Sequence, residues 1–222
     1  MIPPESDGEF VAAMEEVLDV YSRPVDPLHP VVCMDEKPIQ LVKETRSVIP
    51  GTKKHPKRVD YEYERAGTAS IFLFCEPLAG WRKVTARDRR TKNDWAQEVA
   101  ELMEIRYPKV EQVTLVCDNL NTHTMGAIYQ AFPAERARKI VERLILCHTP
   151  KHGSWLNISE IELSAMTRQS ITGRRFGTIG KLRKETEAWY IHTNAKTRRV
   201  DWQMSIGDAR IKLKSVYPVF IE

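Results

Sequence analysis

Two short runs in this chain are almost wholly apolar, and each ends in an aspartate. Val31-Val32-Cys33-Met34 leads into Asp35, and Val113-Thr114-Leu115-Val116-Cys117 leads into Asp118. Successive side chains of a strand point to opposite faces, so a strand apolar on both faces needs cover on both sides. The two runs are therefore expected as central strands of an α/β sheet with helices on both faces. Ligands of such sheets collect beyond the carboxyl ends of the parallel strands, where both aspartates are expected. One aspartate closing an apolar strand commonly marks only a turn. Two of them, each followed by polar residues, point to a site.

The remaining pattern supplies strands first, then strands and helices in alternation. Residues 9–22 carry one apolar stripe at helical spacing, with Asp7 as the N-cap, and residues 23–30 hold three prolines and read as a linker. Pro38 is expected to end or bulge the first strand, and residues 43–58 read as a polar, basic loop. Tyr61–Arg65 has an edge-strand alternation. Ala69–Phe74 and Trp81–Ala86 form a hairpin through Gly80. Helices are expected over 92–107, capped by Thr91, over 122–132 and 134–144 as a pair broken at Pro133, and over 156–170 and 179–192. Leu144–Cys147 reads as a short strand.

Glu160 lies in the helix expected after Trp155. At about 100° per residue, Glu160 leans toward the face of Leu156 and Leu163, and Glu162 leans toward solvent. Carboxylates converging in a partly dry site either share protons or bind a cation. Oxygen-only ligands suit magnesium or manganese, and a pair of such ions supports phosphodiester chemistry. Cys33, Cys75, Cys117 and Cys147 form no C-x-x-C pair, which argues against zinc and for reduced core thiols. No glycine-rich phosphate loop suggests a nucleotide cofactor.

The net charge of +4 permits nucleic-acid contact without demanding it. Its clustering is more telling. Lys53, Lys54, Lys57 and Arg58 form one basic run. Arg82, Lys83, Arg87, Arg89 and Arg90 form a second, and Arg174-Arg175 and Lys196–Arg199 add two more. Spread around acidic motifs, they fit a surface that follows phosphates. Of these, Lys53, Lys54, Lys57, Arg58, Arg87, Arg89, Arg90, Arg174 and Arg175 are the expected DNA contacts. No run approaches a membrane span of roughly 18 apolar residues, and the first residues lack signal-peptide character. A cytoplasmic, DNA-associated location is the expectation.

Four motifs in order, Val31–Glu36, Tyr61–Arg65 with Gly67-Thr68-Ala69, Cys117-Asp118-Asn119 with His123, and Trp155–Glu160, resemble the catalytic domain of DDE transposases. The likeness is to the bacterial insertion-sequence branch of the mariner superfamily, and it runs from about residue 10 to about residue 218. It implies a ribonuclease H-like fold, a mixed five-stranded sheet with helices on both faces, as in retroviral integrases. It implies Asp35, Asp118 and Glu160 as the catalytic acids holding two Mg2+ ions, with Mn2+ able to substitute. Asn119, His123 and Asn157 would orient the ligands or the nucleophile. The family's third acid commonly follows Leu-Asn-Pro-Ile; here Leu156-Asn157-Ile158-Ser159 precedes it, across a longer gap from Asp118, which keeps Glu162 as a substitute. The chemistry implied is DNA strand cleavage and strand transfer, with element ends and target DNA as partners and a homodimer as the active form.

Read this way, residues 1–30 are an N-terminal helix and linker, 31–218 the DDE catalytic domain and 219–222 a tail. Helix-turn-helix modules that read element ends have no room before residue 31, so the chain reads as a truncated transposase. Two other readings stay open: a non-catalytic DNA-binding or dimerising remnant, and a structure-specific nuclease on the same fold.

Overall fold

A computed structural model of the chain describes residues 7–46, 50–53, 55–56 and 61–219. Five strands form one sheet in the order β3-β2-β1-β4-β5. They are β1 (Val31–Glu44), β2 (Tyr63–Glu76), β3 (Trp81–Arg87), β4 (Val113–Cys117) and β5 (Leu144–His148). The pairs β1–β2 and β2–β3 are antiparallel, while β1–β4 and β4–β5 are parallel. The mixed five-stranded sheet expected from the sequence is the one observed.

Alternation along the strands divides the core in two. Cys33, Ile71, Leu73, Cys75, Val84, Val116 and Cys147 point to one face, against α1 (Gly8–Ser22), α5 (Ile158–Met166) and α6 (Ile179–Asn194). Val32, Met34, Phe72, Phe74, Val113, Leu115 and Cys117 point to the other, against α2 (Lys92–Glu101), α3 (Met125–Ala131) and α4 (Ala134–Val141). A short α7 (Ile206–Lys212) contributes Ala209 to the first layer. The caps follow local chemistry: Asp7 accepts from the Glu9 and Phe10 N–H groups, and Thr91 forms a capping box with Asp94. The helix α1 is thus part of the main core, and no helix among the described residues is long and apolar enough to cross a membrane.

Two sequence expectations change here. Pro38 neither ends β1 nor bulges it: it pairs with Ser70, and the register shift comes later, between Gln40 and Val42. The strand β4 accompanies β1 only over Val31–Cys33, so Pro38 lies where β1 has an open edge, a place that tolerates a missing N–H. The edge-strand segment at Tyr63 and the strand at Ala69 are one continuous β2. Beyond Pro38, where β3 also stops pairing with β2, β1 and β2 run on as a two-stranded ribbon. Asp35 stands within β1, at the point where its parallel neighbour stops.

Candidate active site

Asp35 has the strand parity of Cys33, so its side chain lies on the α5 side of the sheet. Its carboxylate accepts the Glu36 N–H at 2.7 Å. Asp118 follows the last residue of β4, the central parallel neighbour of β1. Glu160 is in the first turn of α5, where the helix dipole favours an acid. All three line one open cleft of about 470 Å³, together with Lys37, Ser154, Asn157, Ser164, Thr167 and Arg168.

Asn157 fixes how α5 meets the sheet. Its side-chain oxygen accepts the Ser159 N–H at 3.1 Å and the Ser159 hydroxyl at 2.6 Å, capping the helix. Its Nδ2 donates to the Met34 carbonyl at 2.9 Å, one residue before Asp35. The Tyr21 hydroxyl, from α1, donates to the Leu156 carbonyl at 2.8 Å. Asn157 is fully buried, so one amide ties the acid of β1 to the acid of α5.

On the opposite side of β1, Glu36 reaches His123. The His123 Nε2 is 3.0 Å from Glu36 Oε1, and its Nδ1 donates to the Asp118 carbonyl at 3.1 Å. The same Nδ1 lies 2.8 Å from Asp118 Oδ1. That last contact is between charges rather than an aligned hydrogen bond, because the ring N–H aims at the carbonyl and Asp118 Oδ1 is left without an aligned donor. His123 is fully buried and stacks on Trp95 at 5.5 Å. Burial opposes its charge, but the close side-chain contacts with Asp118, Cys117 and Glu36 outweigh burial and push its pKa up to about 12. His123 is therefore an imidazolium behind Asp118, outside the cleft itself.

The electrostatics of the cleft suit a cation. Burial, with the neighbouring charges of Asp118, Glu160 and Glu36, raises the Asp35 pKa to about 7 against the pull of the Glu36 N–H. Among the described residues no three His, Cys, Asp or Glu side chains already form a closed metal cage. The donors nevertheless fit a hard divalent ion: they are all oxygen, they repel one another, and Asp118 Oδ1 is buried without an aligned partner.

Glu162 stands opposite to its expected place. It is buried, not solvent-facing, and takes a bidentate salt bridge from Arg82 at 3.0 and 2.9 Å, while Glu160 is exposed in the cleft. Arg82 is likewise fully buried and is no part of a basic surface. The β3 pattern held the signal: Arg82 shares its inward parity with Val84 and Ala86, and a buried arginine requires an acid. Lys37, Ser164 and Arg168 also line the cleft without having been singled out from the sequence. Lys37 could have been, since it shares the parity of Asp35 two residues on.

The expected DNA contacts are scattered. Lys53, Arg89 and Arg90 are exposed. Lys54, Lys57 and Arg58 lie outside the described residues. Arg87 is held against α2 by Glu98, Glu101 and Gln97, which leaves it only 21% exposed. Arg174 pairs with Glu185, and Arg175 with Glu44 at 2.7 Å. Asn119 is exposed beside Asp118 and lines an adjoining depression with Lys151 and His152.

Comparison with known proteins gives these residues a context. A family model described as DDE superfamily endonuclease matches residues 30–183. The Mos1 mariner paired-end complex with Mn superposes with a TM-score of 0.58 at 17% identity, covering 89% of this chain and 60% of that one. The Mos1 complex with the left transposon end gives 0.55 at 15% identity, covering 89% and 62%. The catalytic domain of the Mos1 mariner transposase gives 0.52 at 15% identity, covering 86% and 85%. These likenesses establish the ribonuclease H-like fold of that catalytic domain. The chain spans about 60% of the length of the Mos1 chain in the Mn complex. A search of curated protein sequences found no match.

Proposed function

The chain belongs to the DDE superfamily of endonucleases, and on that premise we propose that it cleaves and joins DNA strands with Asp35, Asp118 and Glu160 as its metal-holding acids. The observation that carries this reading is their convergence in one cleft, from two adjacent parallel strands and the first turn of a helix. Bound there, a pair of Mg2+ or Mn2+ ions would activate the attacking oxygen and neutralise charge on the leaving oxygen. Mos1 complexes determined with Mn and with Mg support the choice of ions.

The protein's own groups arrange the rest. Asn157 keeps Glu160 in register with Asp35, and His123 holds Asp118 from behind. Lys37 and Arg168 add positive charge to the cleft walls, where a phosphodiester would lie. Arg89, Arg90 and Lys53 are exposed for further phosphate contacts, and DNA bound by this fold in the Mos1 transposon-end complex supports that role. In the first step water forms a bond to phosphorus and the P–O3′ bond breaks, freeing a 3′-hydroxyl. In the second, the oxygen of that hydroxyl bonds to phosphorus of a target phosphodiester while the target's own P–O3′ bond breaks and its 3′-oxygen leaves. The active form is a dimer that pairs two ends, and the molecule acts as an insertion-sequence transposase in the bacterial cytoplasm.

The test is strand transfer with Mg2+ on precut element ends, set beside cleavage of branched DNA. Joining of precut ends supports the transposase reading. Preference for branched DNA would replace it with a structure-specific nuclease, and binding without any metal-dependent chemistry would replace it with a non-catalytic remnant.

A further inference from the structure

Past the cleft along the chain, the π-helical segment Thr167–Ile171 leads toward a second, open groove of about 520 Å³. Among the described residues, its walls carry Arg174, Arg175, Lys181 and Lys184 against two acids, Glu44 and Glu185. Both acids are already engaged, Glu185 by Arg174 and Glu44 by Arg175. These pairs hold the arginines in place as walls. Lys181 and Lys184 are exposed, and neither has a carboxylate within ion-pair distance among the described residues.

The placement of the two lysines runs against helix stability. Lys181 stands in the first turn of α6, which has no acid there, where a cation opposes the helix dipole, and Lys184 follows in the second turn. Sequestering four cations with two anions in one concave surface leaves a net positive groove that a polyanion would neutralise. Arg168 lines the acid cleft and Gly173 lines the groove. Four residues lie between them, so the two are at most about 18 Å apart, within the length of about five phosphates along one DNA strand. That proximity lets one duplex reach from the cleft to the groove.

We propose that this groove is a phosphate-backbone site for duplex DNA, in which Lys181 and Lys184 anchor the strand to one side of the phosphodiester in the acid cleft. The proposal rests on the DNA-cleaving reading for the second half of that statement only. It adds an anchoring surface made by α6, separate from the metal-holding acids and sequence-independent, since contacts to phosphates position a duplex without reading it.

The experiment measures binding of the full chain to a labelled random duplex in EDTA over a series of KCl concentrations. Lys181→Glu/Lys184→Glu is compared with Arg138→Glu/Lys139→Glu, an equal charge change on α4, which packs on the other side of the sheet. Lys181→Glu places an acid three residues after the Thr178 cap, a stabilising arrangement, so lost binding would not reflect a lost helix; Lys181→Gln/Lys184→Gln serves as the milder second variant. The groove variant should bind at least tenfold more weakly, with the log–log salt slope reduced by about 2, and the glutamine variant should fall between it and wild type. Equal loss in the α4 control, or unchanged binding in the groove variants, overturns the proposal. Because no metal is present, absence of cleavage in a separate assay would count against the acid cleft and leave the groove result standing.

Discussion

The side-chain amide of Asn157 donates to the backbone carbonyl of Met34 at 2.9 Å, joining the start of α5 to the strand residue that precedes Asp35. Two jobs meet in that amide, because its oxygen also caps α5. Asn157→Ala should therefore cost more than an ordinary cap. Loss of the cap is worth about 1 kcal/mol, and a buried carbonyl left unpaired adds about 1–3 kcal/mol. Chemical denaturation should show a loss of about 2–4 kcal/mol. Asn157→Asp, which keeps the cap but not the donor, should recover only part of it.

Glu36 and His123 should behave as a buried ion pair. His123→Leu leaves the Glu36 carboxylate, itself only 4% exposed, without its cation. Breaking such a pair typically costs about 3–5 kcal/mol. Glu36→Gln should be milder, since a neutral amide can still accept from Nε2. Equal losses in the two variants, measured by urea unfolding, would show that the pair's charge does not matter.

Glu160 and Glu162 should separate cleanly. Glu162→Gln breaks the buried pair with Arg82 and should lose about 3–5 kcal/mol of stability. Glu160 is exposed, so Glu160→Gln should change stability by no more than about 0.5 kcal/mol while removing metal-dependent cleavage. Thermal melts and a nicking assay on both variants decide which glutamate serves the cleft.

Asp35 sets a pH dependence. Its folded pKa of about 7 lies above the ordinary value of 3.8, so between those values the native state holds a proton that the unfolded chain has released. Stability should then fall as pH rises from about 4 through about 7, with the loss complete above that. Added Mg2+ should restore more stability at pH 8 than at pH 6, because the cation replaces the proton. Asp35→Asn should flatten both dependences and stabilise the metal-free protein by on the order of 1 kcal/mol.

Much of this arrangement was legible in the chain. The two central strands announced themselves because both of their faces are covered, and Asp35 and Asp118 stood out as charges closing apolar runs. The capping residues Asp7 and Thr91 were equally plain, since local hydrogen bonding decides them. Glu160 was reached through its motif and through a helical wheel that leaned it toward the packed face, whereas it is exposed in the cleft. The helical-wheel argument placed Glu162 toward solvent, where the structure buries it. A wheel ranks residues by apolar neighbours on the same helix, and it cannot see Arg82 arriving from β3, 80 positions away. The same blindness hid the role of Glu36, whose partner His123 comes from the far side of the sheet, 87 positions on. The length of β1 was missed for a different reason: Pro38 argues against a central strand, and only the short reach of β4 turns that stretch into an edge. Basic runs were read as surface, yet Arg82 and Arg87 turn inward to buried acids.

In the proposed function, Asp118 shares with Asp35 and Glu160 the task of holding divalent ions for phosphodiester cleavage. The most direct test of that role is nicking of duplex DNA by wild type and by Asp118→Asn, with Mg2+ or Mn2+ and with EDTA, after melting curves show both proteins folded. Wild type should nick DNA in a metal-dependent way, and the variant should show none above the EDTA background. Undiminished nicking by folded Asp118→Asn would contradict that role.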